Sequence, residues 1–273
     1  DPEMSRGLGD VYKRQEWNGE QLIPAWWTEE IGKMRVVIPE DEKKALTHYA
    51  YHIKAGKEIF AAEGAFGQYL ICFRDYPVAI GITAGASEYL AADICLKYIK
   101  EAVQIPCEKE NLEEAQEKLE EKLVHLTLPK PEGDKKDTNE ATKKLLNKRI
   151  VFTENPRQIE SAVISMVGEE LKLELTVAGE KKILFAGYKD WKCNDMYPND
   201  FTKRYHAVSY AFDEDALYLS VGLLNTSYRE EYCLWVNSEN VVVGTWRPNV
   251  TYLPAEEDMT WKFTGTFEPS CIL

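Results

Sequence analysis

From about residue 145 onward, apolar and polar residues alternate along the chain. Nine runs carry the pattern: residues 150–152, 162–167, 171–177, 182–185, 207–212, 216–221, 232–236, 240–246 and 260–266. A strand points successive side chains to opposite faces, so each run predicts a strand with one apolar face. Turn-forming groups separate them, among them Gly168-Glu169-Glu170, Ala178-Gly179-Glu180, Asp213-Glu214-Asp215 and Asn237-Ser238-Glu239. Short strands at this regular spacing predict an antiparallel β-barrel or sandwich over residues 145–273. Trp191, Trp235, Trp246 and Trp261 lie in this part and suit either a ligand pocket or core packing.

The earlier part of the chain has a different pattern. Apolar runs flank Gly64, Ala65 and Gly67 in the stretch 59–73, where backbone without bulky side chains allows close approach. Leu90, Ile94, Tyr98 and Ala102 recur at four-residue steps after Ser87, a good N-cap, and predict an amphipathic helix with Ile99 and Val103 beside that face. A second helix follows Asn111, with Leu112, Ala115, Leu119, Leu123 and Leu126 on one face and a solvated acidic face opposite. Pro129, Pro131 and Gly133, followed by charged residues, read as a linker. The organisation expected is a domain over 16–105, helix and linker over 106–144, and a β-domain over 145–273. Residues 1–15 lack periodicity, and Asp10-Val11-Tyr12-Lys13-Arg14-Gln15 reads as a translated sequencing adapter, the alternative being a disordered tail, so this segment is expected to pack on nothing.

Composition narrows the classes. With 44% hydrophobic residues in 273, the chain can bury real cores, and a net charge of −13 argues against nucleic-acid or anionic-membrane partners. No apolar run approaches a membrane span. The six cysteines are dispersed without a C-x-x-C pair, and His48 and His52 have no third ligand nearby in sequence. No metal and no cofactor are therefore expected, and free thiols suggest a cytoplasmic setting.

The order Gly64-Ala65-Phe66-Gly67-Gln68-Tyr69, followed by Leu70-Ile71-Cys72-Phe73, the turn Arg74-Asp75-Tyr76-Pro77 and a strand over 78–83, resembles the last motif region of class C β-lactamase-like serine hydrolases. Trp17-Asn18-Gly19-Glu20-Gln21-Leu22-Ile23-Pro24 with Trp26 and Trp27, and Tyr49-Ala50-Tyr51-His52, are similar to further segments of that family. The resemblance implies an α+β fold: part of a transpeptidase-like antiparallel sheet with C-terminal helices, followed by a β-rich accessory barrel or sandwich. It also implies that Ala62-Glu63-Gly64 occupies the third-motif position, that the Ala65 backbone N–H donates to an oxyanion, and that Gly64, Phe66, Gly67 and Gln68 surround it. Ala62 stands where the family carries a cationic or imidazole side chain, which favours an ester or amide over a β-lactam.

The nucleophile itself is absent. No serine is followed three residues later by lysine, and no G-x-S-x-G elbow occurs. The expectation is thus a fragment of a serine hydrolase acting on an ester, amide or peptide bond of a small-molecule or peptide substrate, inactive alone. The alternative is a non-catalytic module in which the β-domain binds a small ligand or serves a structural role. The sequence gives no oligomeric state.

Overall fold

The computed structural model describes residues 16–17, 20–39, 44–76, 78–86, 91–104, 112–133, 140–194, 205–251 and 259–269. Residues 1–15 and the Ser87 cap lie outside them. The chain divides into two compact units, Asp1–Leu126 and Thr127–Leu273.

In the first unit β1 (Glu16–Trp17) pairs with β2 (Glu20–Gln21), and α1 (Ala25–Ile31) runs from Pro24 to Gly32. A six-stranded antiparallel meander follows: β3 (Val36–Val37), β4 (His48–Tyr49), β5 (Lys54–Ala55), β6 (Ile59–Gly64), β7 (Gln68–Phe73) and β8 (Ala79–Ile82). Helix α2 (Ala91–Ala102) packs on Ile59, Ala61, Ile71 and Phe73 through Ala92, Cys95, Leu96 and Ile99. This is not the face expected from the four-residue steps, because Ile94 and Tyr98 are exposed. At 3.6 residues per turn a strict four-residue repeat drifts around the helix, whereas 92, 95, 96 and 99 stay on one side. Leu112, Leu119 and Leu123 of α3 (Leu112–Val124) are exposed.

The stretch 59–73 is the β6–β7 hairpin, in register from Ile59↔Phe73 to Gly64↔Gln68. Its three-residue loop places Phe66 at φ 62° and Gly67 at φ 87°. Left-handed residues at such a loop let the connection follow the strands' twist, and this is why a glycine sits there. The Phe66 carbonyl accepts from Ala86 N–H at 3.0 Å, and the Gln68 amide donates to the Ala84 carbonyl. The glycine pattern that resembled a hydrolase motif thus meets the needs of a hairpin.

The expected transpeptidase-like α+β fold is overturned, because the described chain is mostly β with few helices and its largest sheet is a closed barrel in the second unit, within the 145–273 stretch where a barrel or sandwich was expected. After α4 (Glu140–Leu145) come β9 (Arg149–Phe152), β10 (Ile159–Val167), β11 (Glu170–Val177), β12 (Glu180–Tyr188), β13 (Lys192–Asn194), β14 (His206–Asp213), β15 (Ala216–Leu223), β16 (Arg229–Val236), β17 (Val242–Pro248) and β18 (Trp261–Phe267). Except for β12 and β13, consecutive strands pair antiparallel, β18 returns to β9, and β12 pairs with β14 in parallel through Gly187↔Ser209 and Tyr188↔Tyr210. Nine strands therefore close a barrel, with β13 as a short tenth strand on β14. An up-and-down barrel with an odd number of strands must contain one parallel pair, and here it is β12 with β14.

That seam is completed by a side chain. Asn194 accepts from Phe185 N–H at 2.6 Å and donates to the Phe185, Lys192 and His206 carbonyls at 3.0, 3.0 and 3.3 Å. It supplies the donor and acceptor that a neighbouring strand would offer where β12 and β14 separate. Residues 127–133, within the stretch that reads as linker, lie along the barrel wall: Trp191 Nε1 donates to the Leu128 carbonyl at 3.4 Å, and Lys130 pairs with Asp190 at 3.0 Å.

The barrel end carrying the turns at 168–169 and 214–215 is filled. Leu145, Leu171, Tyr210, Phe212, Leu217 and Val242 are almost fully buried, and the Tyr210 ring lies 5.8 Å from Tyr188 and 5.9 Å from Phe212. Farther along the same wall Gly244 is required, since a Cβ there would come within 2.4 Å of the Phe263 ring. Gly244→Ala is expected to destabilise the barrel by about 1–3 kcal/mol, the range for overpacking a core. Urea denaturation followed by Trp emission checks this, and an unchanged midpoint would contradict it.

Candidate ligand-binding site

The opposite end of the barrel is hollow. A cavity of about 120 Å³ lies among the inward side chains, roughly ten times what one enclosed water needs by the same measure. Arg157, in the loop between β9 and β10, and Val177, Lys182, His206, Val221 and Glu230, each at or near the end of its strand on that side, mark its position. Deeper in, Ala162, Ile164, Leu173, Leu184, Leu219 and Phe263 make the wall apolar. The strand period produces this lining, since alternate residues of every strand face the interior.

One polar cluster interrupts the apolar wall. Glu230, 6% exposed, accepts from Tyr232 OH at 2.6 Å on one carboxylate oxygen and pairs with Arg157 Nη2 at 3.1 Å through the other. Glu230 and Tyr232 share the inward face of β16 with Leu234. Arg157 comes from the β9–β10 loop and lies over Trp246, its guanidinium 5.9 Å from the ring centroid. Trp246 in turn packs on Trp261 across the β17–β18 pair, with ring centroids 4.8 Å apart.

The loop that carries Arg157 is fixed by Asn155. Its side chain donates to the Thr153 and Ile159 carbonyls, both at 2.9 Å, and accepts from Ile159 N–H at 3.0 Å. Gln158 sits at φ 52° and its carbonyl accepts from Ala178 N–H at 3.0 Å, tying the loop to the β11–β12 turn. Arg157 is thus presented from a braced loop, which reduces the entropy lost in holding its side chain against Glu230.

Burial works against charge on Arg157, but the Glu230 carboxylate and the Tyr232 hydroxyl outweigh it, so its pKa lies above the ordinary value. Burial, followed by the Glu230 charge, raises Tyr232 well above the ordinary phenol value. A raised folded-state pKa gives stability that is full below the unfolded pKa, about 10, and is lost as pH rises through the folded value. The full chain is therefore expected to lose more stability above about pH 10 than Tyr232→Phe does. Parallel denaturation curves at pH 8 and pH 11 test this, and identical losses would contradict it. Arg157 Nε and Trp246 Nε1 are buried donors that no acceptor among the described residues meets.

The residues expected from the hydrolase resemblance are elsewhere. Gly64, Ala65, Phe66, Gly67 and Gln68 form the end of the β6–β7 hairpin in the first unit. Of the four tryptophans, Trp246 lies under Arg157 and packs on Trp261, whereas Trp191 bonds to the Leu128 carbonyl. Sequence reasoning missed Arg157, Lys182, His206, Glu230 and Tyr232 as cavity residues. Glu230 carried a legible signal, an acidic residue in phase with Leu234 and Val236 on an inward strand face. Arg157, in an Asn-Pro turn, carried none.

No family model matches the sequence, and no curated protein matches it. Solved structures do share similarity with it. Apo lipid binding protein 8 from Caenorhabditis elegans is 7% identical, over 46% of this chain and 96% of that one, with a TM-score of 0.36. Human cRBP IV is 11% identical, over 40% of this chain and 72% of that one, with a TM-score of 0.29. A secretory abundant heat soluble protein from Ramazzottius varieornatus is 12% identical, over 51% of this chain and 100% of that one, with a TM-score of 0.35. Likenesses at this level carry no functional argument, and the barrel rests on its own strand pairing. The serine-hydrolase reading is overturned with the fold it required. Among the described residues, no helix is long and apolar enough to cross a membrane, and no cluster of three or more His, Cys, Asp or Glu is placed to hold a metal ion.

Proposed function

We propose that the barrel is a non-catalytic binding module that takes a small, largely apolar molecule into its cavity, with the ligand's polar end at Arg157, Glu230 and Tyr232. The observation that carries this reading is the contrast between the two ends of one barrel. One end buries Leu145, Leu171, Tyr210, Phe212, Leu217 and Val242 almost completely, while the other leaves a cavity of about 120 Å³ against an apolar wall. Unfilled apolar volume costs stability, and interiors normally close it. An open apolar volume with one convergent polar cluster is the usual form of a small-molecule site. No Ser, Thr or Cys lines the cavity among the described residues, which favours binding over acyl transfer.

Isothermal titration of the full chain with 1-decanol and with decanoate tests the reading. Saturable binding of at least one is expected, and Ala162→Phe should weaken it by at least tenfold. Ala162 is buried and lines the cavity, so a phenyl ring there occupies the ligand's volume. No binding of either probe, or equal binding by Ala162→Phe, would overturn the proposal.

A further inference from the structure

The polar cluster also says what kind of head group the cavity accepts, an inference that rests on the binding reading above. We infer that the site selects an uncharged hydroxyl-bearing apolar ligand and rejects the carboxylate of the same chain length. An arginine at an apolar cavity would ordinarily attract an acid, but Arg157 is already paired with Glu230 at 3.1 Å. The Glu230 carboxylate also holds Tyr232 OH at 2.6 Å, so the cluster's strongest donors point at an internal anion and not at the ligand. Lys182 and His206 line the cavity too, and each already has an interaction partner. No lining cation among the described residues is left uncommitted.

A ligand carboxylate brought to this end meets Glu230, the acidic residue of the described lining. Like charges a few ångströms apart repel strongly where water is excluded, and the incoming acid must also shed its hydration. It is acceptor-only, so it cannot use the lone pairs of Glu230. A hydroxyl avoids both costs. It donates to a free lone pair of Glu230 and offers its oxygen to Arg157, whose Nε is buried without an acceptor among the described residues. A site that hydrogen-bonds a hydroxyl discriminates sharply against analogues that leave its polar groups unpaired.

The experiment compares 1-decanol with decanoate at pH 8, where the acid is ionised, by isothermal titration of the full chain. The alcohol is expected to bind at least tenfold more tightly. In Glu230→Gln the internal anion is gone and Arg157 is released, so decanoate should gain at least tenfold and the preference should narrow or reverse. If that variant does not fold, Arg157→Gln tests the same point from the other side: Glu230 is left without its cation, so decanoate should weaken by at least threefold more than 1-decanol does, and an equal loss for the two probes would contradict the selectivity. Decanoate binding as tightly as the alcohol to the unaltered chain would overturn the selectivity and leave the binding module standing. Failure of both probes would overturn the two together.

Discussion

Replacing Tyr210 with Ala is expected to destabilise the barrel unit by about 3–5 kcal/mol, the range for removing a large aromatic side chain from a core. The Tyr210 side chain has no exposed surface, and its ring packs on Tyr188 and Phe212 in the filled end of the barrel. Its hydroxyl donates to the Glu169 carbonyl at 2.9 Å, so the substitution also leaves a turn acceptor unmet. The same change extends the hollow end downward. If the filled end sets the length of ligand accepted, Tyr210→Ala should shift the preference from 1-decanol towards 1-hexadecanol, provided denaturation curves show the variant folded at the assay temperature. Destabilisation below about 1 kcal/mol would show that Tyr210 is not part of the packed floor.

Glu230→Ala is expected to cost about 2–4 kcal/mol. Removing one partner of a fully buried pair typically costs about 3–5 kcal/mol because the other charge is stranded. Here the Arg157 side chain is 38% exposed and can turn towards water, which places the effect at the lower end. Tyr232 loses its acceptor as well, and its hydroxyl remains in the barrel wall. Glu230→Gln, which keeps the shape and one acceptor, should lose less. Urea denaturation of both variants beside the unaltered chain decides it. Equal stability of all three would mean that the cluster contributes nothing to the barrel and only shapes the ligand site.

The nine alternating runs in the sequence coincide with the nine strands that close the barrel, because side-chain period two is imposed by strand geometry wherever one face is buried. The tenth strand, Lys192–Asn194, left no such trace: three residues are too few to show a period, and its role depends on Asn194 reaching Phe185 and His206 across the seam. The stretch 59–73 misled for a related reason. A glycine at positive φ is demanded equally by a hairpin loop and by a backbone that approaches a substrate, and local sequence cannot separate the two. Only the register Gly64↔Gln68 and the positive φ values of Phe66 and Gly67 show that the hairpin accounts for it.

By itself, the sequence determined that residues from about 145 onward form antiparallel β-structure with one apolar face, since alternation and turn residues act locally. Whether the strands closed into a barrel, and which end stayed hollow, was decided by tertiary structure. Closure depends on pairing between residues far apart in the chain, Gly265↔Phe152 at one junction and Gly187↔Ser209 at the other. The partnership of Arg157 with Glu230 likewise joins a loop to a strand more than seventy positions away, through a contact that no local period encodes.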